Sequence, residues 1–296
     1  MTKTPIFRGA ATALITPMHA NGEIDYETMG RLIDWQIDEG IDALVIAGTT
    51  GEGSTLSDEE HRAVLKFSAE RIAGRVPMIA GTGSNDTAYA VDMSRYACAV
   101  GADALLVVTP YYNKATQKGL IRMYETIADA STKPLILYNV PSRTGVNIEP
   151  ATYAALAEHP NIAGIKEANG NLGKIMETAA LVGDRLALYS GNDDQVIPLL
   201  ALGGMGVISV LSNVMPKQTS EMCARWFAGD LAGSREMQLR FLPLISALFS
   251  EVNPIPVKAA MAAMGWGENS LRMPLTEMEP AHAELLYQRM REQNLI

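Results

Sequence analysis

Short apolar runs alternate along this chain with longer amphipathic stretches. The runs fall at residues 9–16, 43–47, 77–80, 104–108, 134–138, 162–166, 186–190 and 206–210. Several are almost unbroken in Val, Ile, Leu and Ala, as strands covered on both faces are. Between them, stretches such as 58–72 and 87–99 space their apolar residues at helical period, with Asp58 and Thr87 as helix starts. Roughly eight strand–helix repeats predict an α/β fold of the (β/α)8 barrel type. An open doubly wound sheet shares the alternation, and the count favours the barrel. From about Asp230 the chain turns rich in Leu, Met and Ala without a clear strand, and Asn253-Pro254-Ile255-Pro256 opens a helix there. The expected division is a barrel over residues 1–229 and a small helical domain over 230–296.

Composition narrows the classes. The 296 residues suit two domains by length, but α/β barrels reach this size as one. A net charge of −9 repels a phosphate backbone, so no nucleic-acid partner is expected. Cys98 and Cys223 sit in helical stretches without CxxC spacing, which argues against a disulfide framework or a zinc site. His19, His61, His159 and His282 also lack ligand spacing, and no metal is expected. There is no apolar leader at residues 1–7, and no run approaches the ~18 apolar residues of a membrane span. The expectation is a soluble cytoplasmic protein without a membrane partner.

The polar information lies where the strands end, which in a barrel is the rim that carries the active site. Lys166 closes the run 162–166. A desolvated lysine there loses its proton readily and attacks carbonyls; a lysine paired with adjacent Glu167 is the plainer alternative. Tyr138 closes the run 134–138, either as a proton shuttle or as an aromatic cap on the core. Gly48-Thr49-Thr50-Gly51-Glu52-Gly53 offers backbone N–H groups and two hydroxyls, a cradle suited to a carboxylate. It is neither a dinucleotide fingerprint nor a GK[ST] loop. Arg143, five residues past Tyr138, either grips a second carboxylate with two parallel hydrogen bonds or is an exposed loop arginine. Gly203-Gly204-Met205-Gly206 reads as a tight turn into the eighth strand.

Taken in order, GTTGE, GTGSN, TPYYNK, YNVPSRTG, GIKEA and NPIPVK resemble the dihydrodipicolinate synthases of the N-acetylneuraminate lyase superfamily, over essentially the whole chain. The resemblance implies a (β/α)8 barrel with a C-terminal helical domain. It implies condensation of pyruvate with L-aspartate 4-semialdehyde to 4-hydroxy-tetrahydrodipicolinate, on the route to diaminopimelate and lysine. Carried over by motif, Lys166 forms the Schiff base and Tyr138 moves the protons. Thr50 links Tyr138 to Tyr112, the latter supplied by a neighbouring subunit. Thr49 and Thr50 hold the pyruvate carboxylate, Arg143 holds that of the semialdehyde, and the backbone at Gly191 and Ile208 lines the imine. The covalent imine between Lys166 and pyruvate replaces any cofactor. The assembly implied is a homotetramer, a dimer of dimers.

Two departures bear on specificity and regulation. Asn192 stands where the family often has Asp. Many family members bind lysine at the dimer interface; His61, Asn85 and Tyr111 match that site, whereas Gly53, Asp58 and Tyr89 replace its typical Ser, His and Glu. Loss of the Glu removes the carboxylate that grips an ammonium, so weak or absent inhibition by lysine is expected. The in-class alternative is a pyruvate-dependent aldolase for a 2-oxo sugar acid or sialic acid, against which Arg143 and the Thr49-Thr50 pair speak. The alternative outside the class is a non-catalytic barrel used for sensing.

Overall fold

The computed structural model describes residues 3–296. Eight parallel strands close into a barrel in sequence order: β1 (Gly9–Ala13), β2 (Ala43–Ile46), β3 (Met78–Gly81), β4 (Ala104–Val108), β5 (Leu135–Asn139), β6 (Ile162–Glu167), β7 (Ala187–Ser190) and β8 (Gly206–Ser209). The helices wound between them are α1 (Tyr26–Asp38), α2 (Asp58–Ile72), α3 (Thr87–Val100), α4 (Gln117–Asp129), α5 (Pro141–Thr144), α6 (Pro150–Leu156), α7 (Leu172–Val182) and α8 (Val196–Ala201). Then follow α9 (Pro216–Phe227), α10 (Leu231–Leu248), α11 (Ile255–Ala263) and α12 (Pro280–Glu292). The (β/α)8 barrel read from the apolar runs is therefore the fold. Among the described residues no helix is long and apolar enough to cross a membrane.

Each predicted run holds a strand, shifted or trimmed by chemistry the run does not display. β2 stops at Ile46 because Ala47 turns left-handed, with φ of 54°. β1 ends at Ala13, although Leu14 and Ile15 remain buried as loop. The helix starts at Asp58 and Thr87 hold, but the caps lie one residue earlier. Ser57 and Glu60 form a reciprocal capping box, and the Asp86 carboxylate accepts from the Ala88 N–H.

Strand pleating sorts the side chains into two cores. The inner one holds small and medium groups, among them Ala11, Ala43, Val45, Ile79, Leu106 and Ile136. Phe7, just ahead of β1, stacks on Tyr189 with ring centroids 4.3 Å apart and fills the barrel at the N-terminal end of β1. The outer core packs Leu, Ile, Val and Met of the strands against the helices. The ring closes where β1 meets β8, Gly9 opposite Gly206. A Cβ on Gly206 would stand 1.8 Å from the Gly9 carbonyl oxygen, so the seam requires glycine. Past the barrel, α10 packs on α9 and α12, and Asn253, just ahead of α11, reaches Thr50 in the turn after β2.

Candidate active site

Tyr138 and Lys166 are register partners on β5 and β6, and Asn139 and Glu167 are partners one residue on. Alternation sends the first pair into the barrel and the second outward. Lys166 is 6% exposed, and its Nζ lies 4.3 Å from the centroid of the Tyr138 ring. Burial strips water from the ammonium and lowers its pKa; Asp193 opposes this and Arg143 adds to it, leaving a value of about 7. A large fraction of Lys166 is therefore the free amine at neutral pH. Burial raises the Tyr138 phenol above its ordinary value, while Arg143 and a hydrogen bond with Thr49 act the other way.

Glu167 does not pair with Lys166. On the outer face it accepts from Tyr153 Oη at 2.8 Å, from Asn139 Nδ2 at 3.0 and 3.3 Å and from the Asn169 N–H at 2.9 Å. Burial nevertheless pushes its pKa up to about 7.

The turn after β2 presents its two threonines differently. Thr49 is exposed to the cleft and meets Tyr138, whereas Thr50 is buried and its Oγ1 accepts from Asn253 Nδ2 at 3.0 Å. It is Thr49, not the Thr50 of the expected relay, whose hydroxyl meets Tyr138. The left-handed residues Ala47 and Glu52, with φ of 54° and 53°, fix which hydroxyl faces inward. Glu52 is held by a fully buried ion pair, its Oε1 2.5 Å from Lys258 Nζ, while Oε2 accepts from the Arg272 N–H at 3.0 Å. Lys258 also donates to the Thr16 carbonyl at 3.1 Å.

Arg143 lies in α5 at the rim of the cleft, where its Nη2 donates to the Asn253 carbonyl at 3.0 Å. Asn253 thereby touches both Thr50 and Arg143. The motif NPIPVK is conspicuous in the sequence, but nothing local gives Asn253 or Lys258 a role. The Gly191 N–H is already donated to the Glu167 carbonyl at 2.8 Å, so only its carbonyl side is left for a ligand. Ile208 lies in the inner core, the same apolar cluster as Tyr138. Tyr112 is 92% exposed with φ of 68°, and within one chain it does not come to Tyr138.

A cleft of about 590 Å³ runs from Thr49, Tyr138 and Arg143 to His61, Tyr89 and Tyr111. His61 is buried, with Nε2 2.9 Å from the Gly81 carbonyl and Nδ1 3.4 Å from the Tyr89 hydroxyl; burial lowers its pKa. Asn85 ties two rim loops together, its carbonyl accepting from Asn113 Nδ2 at 2.9 Å. Asp58 is turned to Arg62 at 3.0 Å. A Cβ on Gly53 would stand 2.3 Å from the Ala47 carbonyl oxygen, so a serine there requires a different backbone. Among the described residues no three His, Cys, Asp or Glu side chains converge as a metal site.

A sequence model of the dihydrodipicolinate synthetase family matches residues 6–293. The chain belongs to that family. The 4-hydroxy-tetrahydrodipicolinate synthase of Acetivibrio thermocellus is 53% identical over 294 residues, which is 99% of this chain and 100% of the relative. The dihydrodipicolinate synthase of Acinetobacter baumannii, solved in complex with pyruvate, superposes with a TM-score of 0.95 at 42% identity, over 98% of this chain and 99% of that one. The DHDPS of Cyanidioschyzon merolae, solved with lysine bound, gives 0.96 at 37% identity, over 99% and 100%. In this member of the dihydrodipicolinate synthetase family, Lys166, Tyr138, Thr49 and Arg143 meet at one end of the barrel.

Proposed function

We propose that the protein condenses pyruvate with L-aspartate 4-semialdehyde to 4-hydroxy-tetrahydrodipicolinate through an imine on Lys166. The observation that carries this reading is a buried lysine, with a pKa of about 7, set against the Tyr138 ring at the barrel rim. Relatives 48–53% identical and named 4-hydroxy-tetrahydrodipicolinate synthase support it. They give no support to a sugar-acid aldolase.

The free amine of Lys166 attacks the pyruvate ketone carbon, and loss of water leaves an iminium. That cation withdraws electrons from the neighbouring methyl, which gives up a proton to form the enamine. The enamine carbon adds to the aldehyde, and its oxygen takes a proton. The amino group of the adduct then attacks the iminium carbon, closes the ring and expels Lys166. Tyr138 and Thr49 supply a hydroxyl route for these protons without reorganisation of bulk water. The Thr49-Thr50 turn holds the pyruvate carboxylate, and Arg143 holds that of the aldehyde with its remaining N–H groups. No cofactor or metal enters any step.

Tyr112, exposed on a left-handed turn, fits a residue handed to a partner's site, and a dimer of dimers is the assembly proposed. The cytoplasm, where both substrates are at hand, is the proposed location. The His61 end of the cleft lacks a carboxylate from Tyr89 and is narrowed for serine at Gly53, so lysine inhibits weakly or not at all.

The deciding experiment is steady-state kinetics with pyruvate and a panel of aldehydes. Turnover with aspartate semialdehyde far above that with sugar aldehydes is expected; none with it would overturn the reading. Half-inhibition by lysine well below the millimolar range would overturn the regulatory part.

A further inference from the structure

Asp193 is a buried charge to which the proposed chemistry has not yet given a part. It opens the short turn between β7 and α8 and is 2% exposed. Its Oδ2 accepts from the Val210 N–H at 3.0 Å and the Leu211 N–H at 2.9 Å, just beyond β8. Its backbone carbonyl accepts from Gln238 Nε2 at 2.8 Å, which pins the turn to α10. Oδ1, also buried, has no hydrogen-bond partner. A buried carboxylate oxygen without a donor is costly and rare among polar groups that serve packing alone.

The surroundings indicate what it faces. β6 and β7 are neighbours, with Lys166 opposite Tyr189 and Glu167 opposite Ser190, so the turn carrying Asp193 rises beside the end of β6. The groups around Lys166 are the Tyr138 ring from β5, the Arg143 guanidinium from α5 and Asp193 from beyond β7. The carboxylate on its own strand, Glu167, is on the opposite face with its own donors. On the far side of Asp193, Ser209 adds a hydroxyl donor, and the Cys223 thiol of α9 is pushed up by burial and stays neutral. Asp193 is therefore the anion that acts on Lys166 from within the barrel mouth, against a guanidinium that acts the other way.

We propose that Asp193 is the fixed counter-charge of the nitrogen on Lys166, a positioning residue that stabilises the iminium through its charge rather than by touching the substrate. This rests on the imine reading above and adds an electrostatic part to it. An ammonium and an iminium carry the same positive charge at the same atom, so one anion stabilises both. In this low-dielectric setting a preorganised charge costs no reorganisation during the reaction. Burial raises the proton affinity of Asp193, while its three donors and the Lys166 charge lower it. Each charge favours the ionised form of the other, against the burial that raises the Asp193 pKa and lowers that of Lys166.

The test is the pH dependence of borohydride trapping with pyruvate, read by mass on Lys166, together with kcat. The wild type is expected to trap with a midpoint of about 7. No trapping in the wild type would overturn the imine reading itself. Asp193→Asn keeps the volume and removes the charge. Its midpoint is expected to fall by about one pH unit, with kcat down about tenfold at every pH. Asp193→Glu, which keeps the charge, is expected to retain the wild-type midpoint. Should Asp193→Asn fail to fold, Asp193→Ser removes the same charge and admits water to the Val210 and Leu211 amides. A charge-free variant that folds and keeps the wild-type midpoint would overturn the inference while leaving the imine reading intact.

Discussion

The two faces of β5 and β6 carry the same kind of burden and handle it in opposite ways. On the inner face, Lys166 sits over the Tyr138 ring in a water-poor mouth. On the outer face, one residue along, Glu167 is surrounded by Tyr153, Asn139 and the Asn169 amide. Burial drives both side chains to a pKa of about 7, the lysine down and the carboxyl up. A perturbed pKa therefore does not separate chemistry from structure. The neighbours do: Lys166 abuts Tyr138, which lines the cleft, whereas Glu167 is ringed by hydrogen-bond donors. The outer group is saturated with donors and anchors two strands to α6; the inner one is left free to react.

The sharpest way to break the comparison is to remove each side in turn. Lys166→Ala is expected to abolish trapping with pyruvate and lower kcat/KM by at least ~10⁴-fold while the fold persists. Tyr138→Phe keeps the ring over the lysine but loses the hydroxyl. A loss of about 10²–10³-fold in kcat, with KM for pyruvate little changed, is expected in steady-state kinetics. In the wild type, trapping should slow about tenfold for each pH unit below 7, as the ammonium replaces the amine. Equal rates at pH 5 and 7 would remove Lys166 as the titrating nucleophile.

On the outer face, Glu167→Gln presents an amide donor to a ring of donors. It is expected to cost about 1–3 kcal/mol in denaturant unfolding while kcat stays within about threefold. The pH slopes of stability should also separate the pair. The Glu167 carboxyl titrates near 7 folded against 4.5 free, so the native state holds its proton longer. Its contribution falls as pH rises from 4.5 to 7. The Lys166 amine titrates near 7 folded against 10.5 free, so its penalty is relieved as pH rises from 7 to 10.5. Melting temperatures against pH should lose the first slope in Glu167→Gln and the second in Lys166→Ala.

The barrel was legible because its strands are buried on both faces and read as unbroken apolar runs. Lys166 and Tyr138 were legible for a related reason, since a polar residue that ends such a run must face the rim. The choice between Thr49 and Thr50 was not. It turns on the left-handed backbone at Ala47 and Glu52, and neither is a glycine that would announce the turn. Asn253 and Lys258 escaped because their partners, Thr50 and Glu52, lie 203 and 206 residues away. Asp193 follows the conspicuous Ser190-Gly191-Asn192 but owes its place to amides beyond β8. Gly53 looked like a missing serine and proves to be a steric demand of the Ala47 carbonyl.

The bonds from Asn253 to Thr50 and from Lys258 to Glu52 also have a consequence in time. A ribosome delivers every strand of the barrel, with Tyr138 and Lys166, before residue 210 is complete. A nascent chain halted there already holds Lys166 and Tyr138. It has neither the amide that fixes Thr50 nor the cation that neutralises Glu52, and Arg143 has no carbonyl to lean on. Lys166 enters the chain early, and the contacts that fix the turn after β2 form only when the last helices arrive.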